Sequence, residues 1–112
     1  MGKRIGVIGA GTIGGIVGAC MSAAGHDIVL MDPWKENVEI MTRDGVLIED
    51  PMGTDRQLAV KALHTNDLDQ LPGPLDILFV CVKSYNTEWA VKLLMPYLTS
   101  DCWVISVQNS IN

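Results

Sequence analysis

A glycine motif between an apolar run and a helical pattern constrains the fold of this chain more than any other feature. The β-branched run from Arg4 to Ile8 predicts a strand and stops at Gly9-Ala10-Gly11, and residues 12–24 carry apolar side chains at helical spacing. Residues 27–31 resume as a second buried strand, which ends at Asp32. Strand, glycine turn, helix and strand therefore form one βαβ unit of about 30 residues.

The rest of the sequence continues this alternation of strands and helices. A second helix is opened by Pro33 and closed by Gly45, with Trp34, Val38 and Met41 on one face. A hairpin between Val46 and Ala62, a polar loop at 64–74 and a central strand at 77–82 are predicted to follow. The last two elements are a helix capped by Asn86 or Thr87 and ended by Pro96, and a strand at 102–107. Such alternation favours a parallel sheet covered on both faces. We expect a doubly wound α/β fold, mostly parallel, with a small hairpin insertion.

Composition narrows the class of protein. The 112 residues are 48% hydrophobic and 19% charged, which predicts a single packed domain. A formal net charge of −5 argues against nucleic acid as a partner. The longest apolar run, residues 77–82, is too short to cross a membrane, and the N-terminus lacks a signal pattern, so we expect a cytoplasmic protein.

The cysteines and histidines give no sign of a metal or disulfide site. Cys20, Cys81 and Cys102 lack paired spacing and lie in apolar stretches, which predicts reduced core residues. His26 and His64 stand alone and are expected on the surface or in loops. No cluster has metal-ligand spacing.

Each glycine of the motif has a distinct physical role in binding a dinucleotide. Gly9 permits the tight turn, Gly11 lets a pyrophosphate approach the backbone, and Gly14 lets helix and strand pack closely. The first N–H groups of the helix then face the phosphates. The predicted cofactor loop consists of Gly9, Ala10, Gly11, Thr12, Ile13 and Gly14. A glycine turn that merely packs a βα unit is the alternative.

Asp32 follows the second strand, where a carboxylate can accept hydrogen bonds from the adenosine ribose. A 2′-phosphate at this position meets like charge, so Asp32 favours NAD(H) over NADP(H). Lys35 could offset this preference by reaching a phosphate, and Asp32 could instead cap the following helix. Trp34 could stack on the adenine or serve as an anchor for that helix.

Two polar residues follow strands that end at the same edge of the predicted sheet. Lys83 comes just after the central strand and Asn109 just after the last one. Ligands bind beyond the carboxyl ends of parallel strands, at the point where the strand order reverses. We therefore expect Lys83 and Asn109 to face the crevice beside the glycine loop.

Three segments together resemble the ketopantoate reductase (2-dehydropantoate 2-reductase) family. They are Gly9-Ala10-Gly11-Thr12-Ile13-Gly14, Val82-Lys83-Ser84-Tyr85-Asn86-Thr87 and Val107-Gln108-Asn109-Ser110-Ile111-Asn112. The resemblance implies an N-terminal Rossmann domain that binds NADPH, in an enzyme that transfers a hydride to a 2-oxo acid. It also implies that Lys83 lies beside cofactor and substrate and that Asn109 contacts both, so these two are the candidate catalytic residues.

The chain departs from the family pattern at three points. Asp32 stands where a basic residue is usual, Ser110 replaces a glycine, and the sequence ends at Asn112, before the helical C-terminal domain that carries the family's general acid. We therefore expect residues 1–112 to be the cofactor domain alone, truncated at its C-terminal end and catalytically inactive by itself. Its uncovered last strand favours association, either as a homo-oligomer or with the missing domain.

Two other functions remain open from the sequence. One is a non-catalytic NAD(H)-sensing module. The other is the cofactor domain of a different dehydrogenase, such as a 3-hydroxyacyl-CoA type, against which Lys83 and Asn109 argue.

Overall fold

The computed structural model describes residues 2–49, 51–83 and 86–107, with the backbone alone at Thr12. The elements in chain order are β1 (Arg4–Ile8), α1 (Thr12–Ala23), β2 (Asp27–Asp32), α2 (Lys35–Asp44), β3 (Val46–Ile48), β4 (Arg56–Leu58), β5 (Lys61–His64), a 3-10 helix (Thr65–Gln70), β6 (Leu75–Val80), α3 (Thr87–Leu94), a second 3-10 helix (Met95–Tyr97) and β7 (Leu98–Ser106).

Five of the strands form one parallel sheet in the order β5-β2-β1-β6-β7. The order reverses at β1, which pairs with β2 on one side and β6 on the other. The short strands β3 and β4 form a separate antiparallel hairpin. The predicted doubly wound α/β fold with a hairpin insertion is therefore confirmed.

Hydrophobic clusters cover both faces of the sheet. On one face, Met41 of α2 packs among Ile5, Val7, Ile28 and Leu30. On the other, α3 contributes Ala90 and Leu94, which pack with a second cluster formed by Ile8, Val29, Met31, Leu68, Leu75, Leu78 and Val80. Successive side chains along β1 and β2 point to opposite faces of the sheet and so contribute to both clusters, as expected for strands buried on two sides.

The strand β5 corrects the expected extent of the hairpin. The apolar residues around Ala62 were predicted to belong to the hairpin, followed by a polar loop. The hairpin instead ends at Leu58, and residues 61–64 pair in parallel with β2, with Ala62 opposite Leu30. Alternating apolar residues fit either pairing, and burial against β2 selects the sheet edge.

Several element boundaries and burial predictions also differ from the sequence-based expectation. β6 and β7 begin earlier than predicted, at Leu75 and Leu98, and β6 ends at Val80. Cys20 is exposed, whereas Cys81 and Cys102 are half-buried, so the prediction of three core cysteines is wrong for Cys20. Trp34 does not share the buried face of Met41, because it precedes the first turn of α2 and is 71% exposed.

The amino-terminal ends of the strands are tied together by Arg4. Its backbone N–H donates to Asp76 Oδ2 at 2.8 Å, and its Nε lies 3.5 Å from Asp27 Oδ2. Arg4 and Asp76 therefore stabilise the end of the sheet opposite the glycine loop. In the described ranges no helix is long and apolar enough to cross a membrane.

Candidate functional site

The carboxyl ends of the central strands meet at the glycine loop. Ile8 lies opposite Met31 on one side and Val80 on the other. The ladder continues past the strand ends, because the Gly9 N–H donates to the Met31 carbonyl at 2.8 Å and the Cys81 N–H donates to the Ile8 carbonyl at 2.9 Å. The turn after β1 is thus fixed to both neighbouring strands.

Gly9 makes the tight turn that the motif predicts. Its φ is 95°, a value that side chains of L-residues rarely adopt. A Cβ atom here would lie 2.8 Å from both Val82 Cγ1 and the Val82 nitrogen. Both the conformation and the available space therefore require glycine.

Gly14 and Gly18 allow α1 to lie close to the sheet. A Cβ on Gly14 would overlap the Gly9 carbonyl oxygen and come within 3.1 Å of Cys81 Cβ. A Cβ on Gly18 would lie 2.7 Å from Leu30 Cγ. The third glycine of the motif thus has the packing role expected from the sequence.

Gly11 differs from the other two motif glycines because space is open beside it. No heavy atom lies within 4 Å of the position that its Cβ would occupy. Gly11 is also the N-cap of α1, which has no acidic residue in its first turn and receives no side-chain cap. The N–H groups of the first turn therefore receive no side-chain cap, and the space beside Gly11 is open, as phosphate binding at a helix N-terminus requires.

Asp32 ends β2 as a nearly buried carboxylate. The residue is 8% exposed, and its oxygens accept hydrogen bonds from two neutral donors. The Trp34 N–H lies 3.4 Å from Oδ1, and Asn37 Nδ2 donates to Oδ2. The contact with the Trp34 N–H supports the alternative that Asp32 caps the start of α2. The carboxylate has further lone pairs, which can accept hydrogen bonds from a ligand.

Asn37 was not predicted to belong to the site. Its Nδ2 also donates to the Ala10 carbonyl at 3.0 Å, so one side chain joins Asp32 to the glycine loop. A polar residue in the first turn of an amphipathic helix normally indicates a solvent-facing position. The only hint in the sequence is that Asn37 lies on the turn directly after the candidate ribose carboxylate.

The residues that directly follow Asp32 in the sequence are exposed to solvent. Trp34 presents its indole to solvent, and Lys35 is also exposed. His64, which ends β5 beside Asp32, accepts at Nδ1 from the Asn66 N–H, so its Nε2 donates to the Pro33 carbonyl at 2.8 Å. His64 therefore anchors the β2–α2 connection rather than lying in an isolated loop.

Lys83 is exposed three residues after the end of β6. The preceding residue, Val82, contacts Gly9, so the chain enters the Lys83 segment beside the glycine loop. The Lys83 carbonyl accepts from the Asn86 N–H at 2.8 Å. Asn109, Ser84 and Tyr85 lie outside the described residues.

Cys81 is a half-buried free cysteine that packs against the glycine motif at Gly14. Burial raises the pKa of the Cys81 thiol above its ordinary value. A raised pKa lowers the thiolate fraction at neutral pH, which disfavours a nucleophilic role. Across residues 2–49, 51–83 and 86–107, no group of three or more His, Cys, Asp or Glu side chains could hold a metal ion.

The geometry combines an uncapped helix N-terminus beside open space at Gly11 with a hydrogen-bonded carboxylate, Asp32, at the end of the next strand. A family model described as ketopantoate reductase PanE/ApbA matches residues 5–112. The chain belongs to this family. The resemblance predicted from three short segments is therefore confirmed along the chain.

Known relatives extend well beyond the length of this chain. A 2-dehydropantoate 2-reductase of Pyrococcus horikoshii is 29% identical over 109 residues, which covers 96% of this chain and 33% of the relative. The chain thus spans about a third of the length of the curated relatives it matches.

Solved structures share the fold. A PanE/ApbA family ketopantoate reductase from Ralstonia eutropha JMP134 is 28% identical with a TM-score of 0.80, and the match covers 95% of this chain and 34% of that one. D-mandelate dehydrogenase, solved as a ternary structure with NADH and anilino(oxo)acetate, has a TM-score of 0.81 at 19% identity, covering 97% of this chain and 34% of that one.

Proposed function

We propose that residues 1–112 are the dinucleotide-binding domain of an NAD(P)-dependent reductase of 2-oxo acids, with 2-dehydropantoate as the expected substrate. The observation that carries this proposal is the open space beside Gly11 at the N-terminus of α1. Backbone N–H groups in this position bind pyrophosphate without a cationic side chain. Family membership supports the reaction class.

The loop residues and Asp32 would hold the two ends of the adenosine diphosphate group. Gly9, Ala10, Gly11, Thr12, Ile13 and Gly14 form the pyrophosphate side, with the Thr12 and Ile13 N–H groups directed to the phosphates. Asp32 accepts from the ribose hydroxyls, and the exposed Trp34 indole can stack on the adenine.

Asp32 favours NADH over NADPH in this proposal. A fixed carboxylate gains a charge-assisted hydrogen bond to a ribose hydroxyl and repels a 2′-phosphate. The solved complex of D-mandelate dehydrogenase contains NADH, so this fold accommodates the cofactor without the phosphate. Lys35 is exposed nearby and is the residue that could oppose this preference.

Lys83 and Asn109 are the proposed catalytic residues of this domain. The cofactor supplies the hydride. Lys83, which follows β6 beside the glycine loop, would donate a hydrogen bond to the substrate carbonyl and orient it, and Asn109 would contact both cofactor and substrate. The general acid of the reaction is expected on residues beyond this domain.

The proposed reaction can be tested in the intact gene product that carries this sequence. NADH oxidation that depends on added 2-dehydropantoate is followed by absorbance in the wild type and in Lys83→Ala. We expect turnover in the wild type and a loss of about 10²-fold or more in the variant, because the carbonyl loses an oriented partner. Turnover of a 3-hydroxyacyl-CoA, with none of a 2-oxo acid, would contradict the proposal.

A further inference from the structure

We infer that Asn37 is a positioning residue that fixes the Asp32 carboxylate for the cofactor ribose and thereby enforces the choice of NADH over NADPH. The inference rests on the proposed function, since it concerns the same cofactor site. It is carried by the two hydrogen bonds that the Asn37 amide makes, to Asp32 Oδ2 and to the Ala10 carbonyl.

The amide of Asn37 has no freedom left on its donor side. A carboxamide nitrogen carries two hydrogens, and two acceptors lie within hydrogen-bond distance of Asn37 Nδ2. Both acceptors belong to the candidate site. The orientation of the Asn37 side chain is therefore set by the ribose carboxylate and the glycine loop together.

The carboxylate of Asp32 is in turn held at both oxygens. Oδ2 accepts from Asn37, and Oδ1 lies 3.4 Å from the Trp34 N–H, a longer and weaker contact. The residue is nearly buried, where a charged group needs donors to remain in place. Asn37 is thus the stronger of the two restraints on rotation of the carboxylate.

A fixed carboxylate acts differently on the two cofactors. For NADH, it presents a preoriented acceptor to a ribose hydroxyl, which lowers the entropy cost of binding. For NADPH, it presents a negative charge that cannot rotate away from the 2′-phosphate. Loss of the Asn37 donor should therefore weaken NADH binding and relieve part of the penalty against NADPH.

The hydrogen bond from Asn37 to the Ala10 carbonyl predicts a different effect on cofactor binding from the hydrogen bond to Asp32, and the two effects can be measured separately. The Ala10 carbonyl belongs to the loop that approaches the pyrophosphate, a group that both cofactors share. A role limited to the loop would change the affinity for NADH and NADPH by the same factor. The ratio of the two dissociation constants therefore reports on Asp32 alone.

The test is a calorimetric titration of NADH and NADPH into the wild type, Asn37→Leu and Thr42→Ala. Leucine keeps the approximate size of asparagine and cannot donate. Thr42→Ala is the matched control, because Thr42 is exposed on the same helix and bonds only to the Val38 carbonyl among its described contacts. Asn37→Ser, which is too short to span both acceptors, replaces Asn37→Leu if circular dichroism shows that the leucine variant is unfolded.

We expect the ratio of the NADPH to the NADH dissociation constant to fall about fivefold or more in Asn37→Leu, as loss of a charge-assisted hydrogen bond predicts, and to stay unchanged in Thr42→Ala. In an Asp32→Ala background, Asn37→Leu should change the ratio by less than about twofold, because no carboxylate remains to be positioned.

Two results separate failure of this inference from failure of the proposed function. If the wild type binds NADH but Asn37→Leu leaves the ratio unchanged, Asn37 has no part in cofactor choice and the inference alone is wrong. If the folded wild type binds neither cofactor, the proposed function is wrong and the inference falls with it.

Discussion

Val82 occupies the space beside Gly9 in which a side chain would begin, with its Cγ1 2.8 Å from the position of a Gly9 Cβ. The turn after β1 therefore packs directly on the segment that leads from β6 to Lys83. This relationship couples the glycine turn, the candidate phosphate site, to the candidate catalytic segment through van der Waals contact.

Gly9→Ala should lower the free energy of unfolding more than a glycine-to-alanine substitution at another position with a similar positive φ. Gly25 is the matched control, because its φ of 93° is close to the 95° of Gly9 and no heavy atom lies within 4 Å of its Cβ position. We expect Gly25→Ala to cost about 1 kcal/mol from backbone strain and Gly9→Ala about 1–3 kcal/mol more from overpacking. Urea denaturation measures both, and equal losses would contradict the contact with Val82.

Asp32 should make NADH bind about tenfold or more tightly than NADPH. The preference comes from a charge-assisted hydrogen bond of about 1.5–3 kcal/mol together with repulsion of the 2′-phosphate. Competitive titration of the two cofactors measures it, and Asp32→Ala should largely remove it. Equal or tighter binding of NADPH by the wild type would show that another residue, such as Lys35, governs this end of the site.

The cysteines should react with iodoacetamide in an order set by exposure and pKa. Cys20 is exposed, whereas burial raises the pKa of the Cys81 thiol, and burial together with the nearby Asp76 charge raises that of Cys102. A raised pKa means that the thiolate forms only at higher pH, so alkylation of Cys81 and Cys102 should be slow at neutral pH and accelerate well into the alkaline range. Peptide mass spectrometry after timed alkylation gives the rates. Faster modification of Cys81 than of Cys20 at neutral pH would be inconsistent with the structure.

The isolated chain should associate through β7. This strand lies at the edge of the described sheet, and its Trp103 is 71% exposed with Val104 47% exposed beside it. Exposed apolar side chains on an edge strand favour pairing with another chain. Sedimentation velocity should show association that Trp103→Lys reduces. Trp34→Lys is the control, since Trp34 is also 71% exposed but lies outside the sheet, and an equal effect of both variants would exclude a specific role for β7.

The sequence predicted the parts of the fold that depend on local patterns. The β-branched run from Arg4 to Ile8 predicted β1, and the glycine motif predicted the turn and the start of α1, because steric limits at Gly9 and Gly14 are properties of the backbone. The strand β5 was missed because Ala62 and Leu63 pack at an edge, where pairing with β2 rather than β4 depends on long-range contacts.

The candidate site was predicted less completely than the fold. Asp32 could be found from its position at the end of β2, but Asn37 could not, since only the packing of α2 brings its side chain to the Ala10 carbonyl and to Asp32. Cys20 and Trp34 were expected to be buried because they lie in apolar patterns, but both are exposed. Their exposure depends on how the helices pack on the sheet, which the local pattern does not contain.

The central claim is that the space beside Gly11 binds the pyrophosphate of a dinucleotide, and calorimetric titration of NADH into the wild type and Gly11→Val tests it most directly. A valine here meets no heavy atom within 4 Å of its Cβ, so the variant should keep its circular dichroism spectrum while the side chain fills the space for the phosphates. We predict saturable NADH binding by the wild type and none by the variant. Equal NADH affinity in a folded Gly11→Val, or no binding by the wild type, would contradict the account.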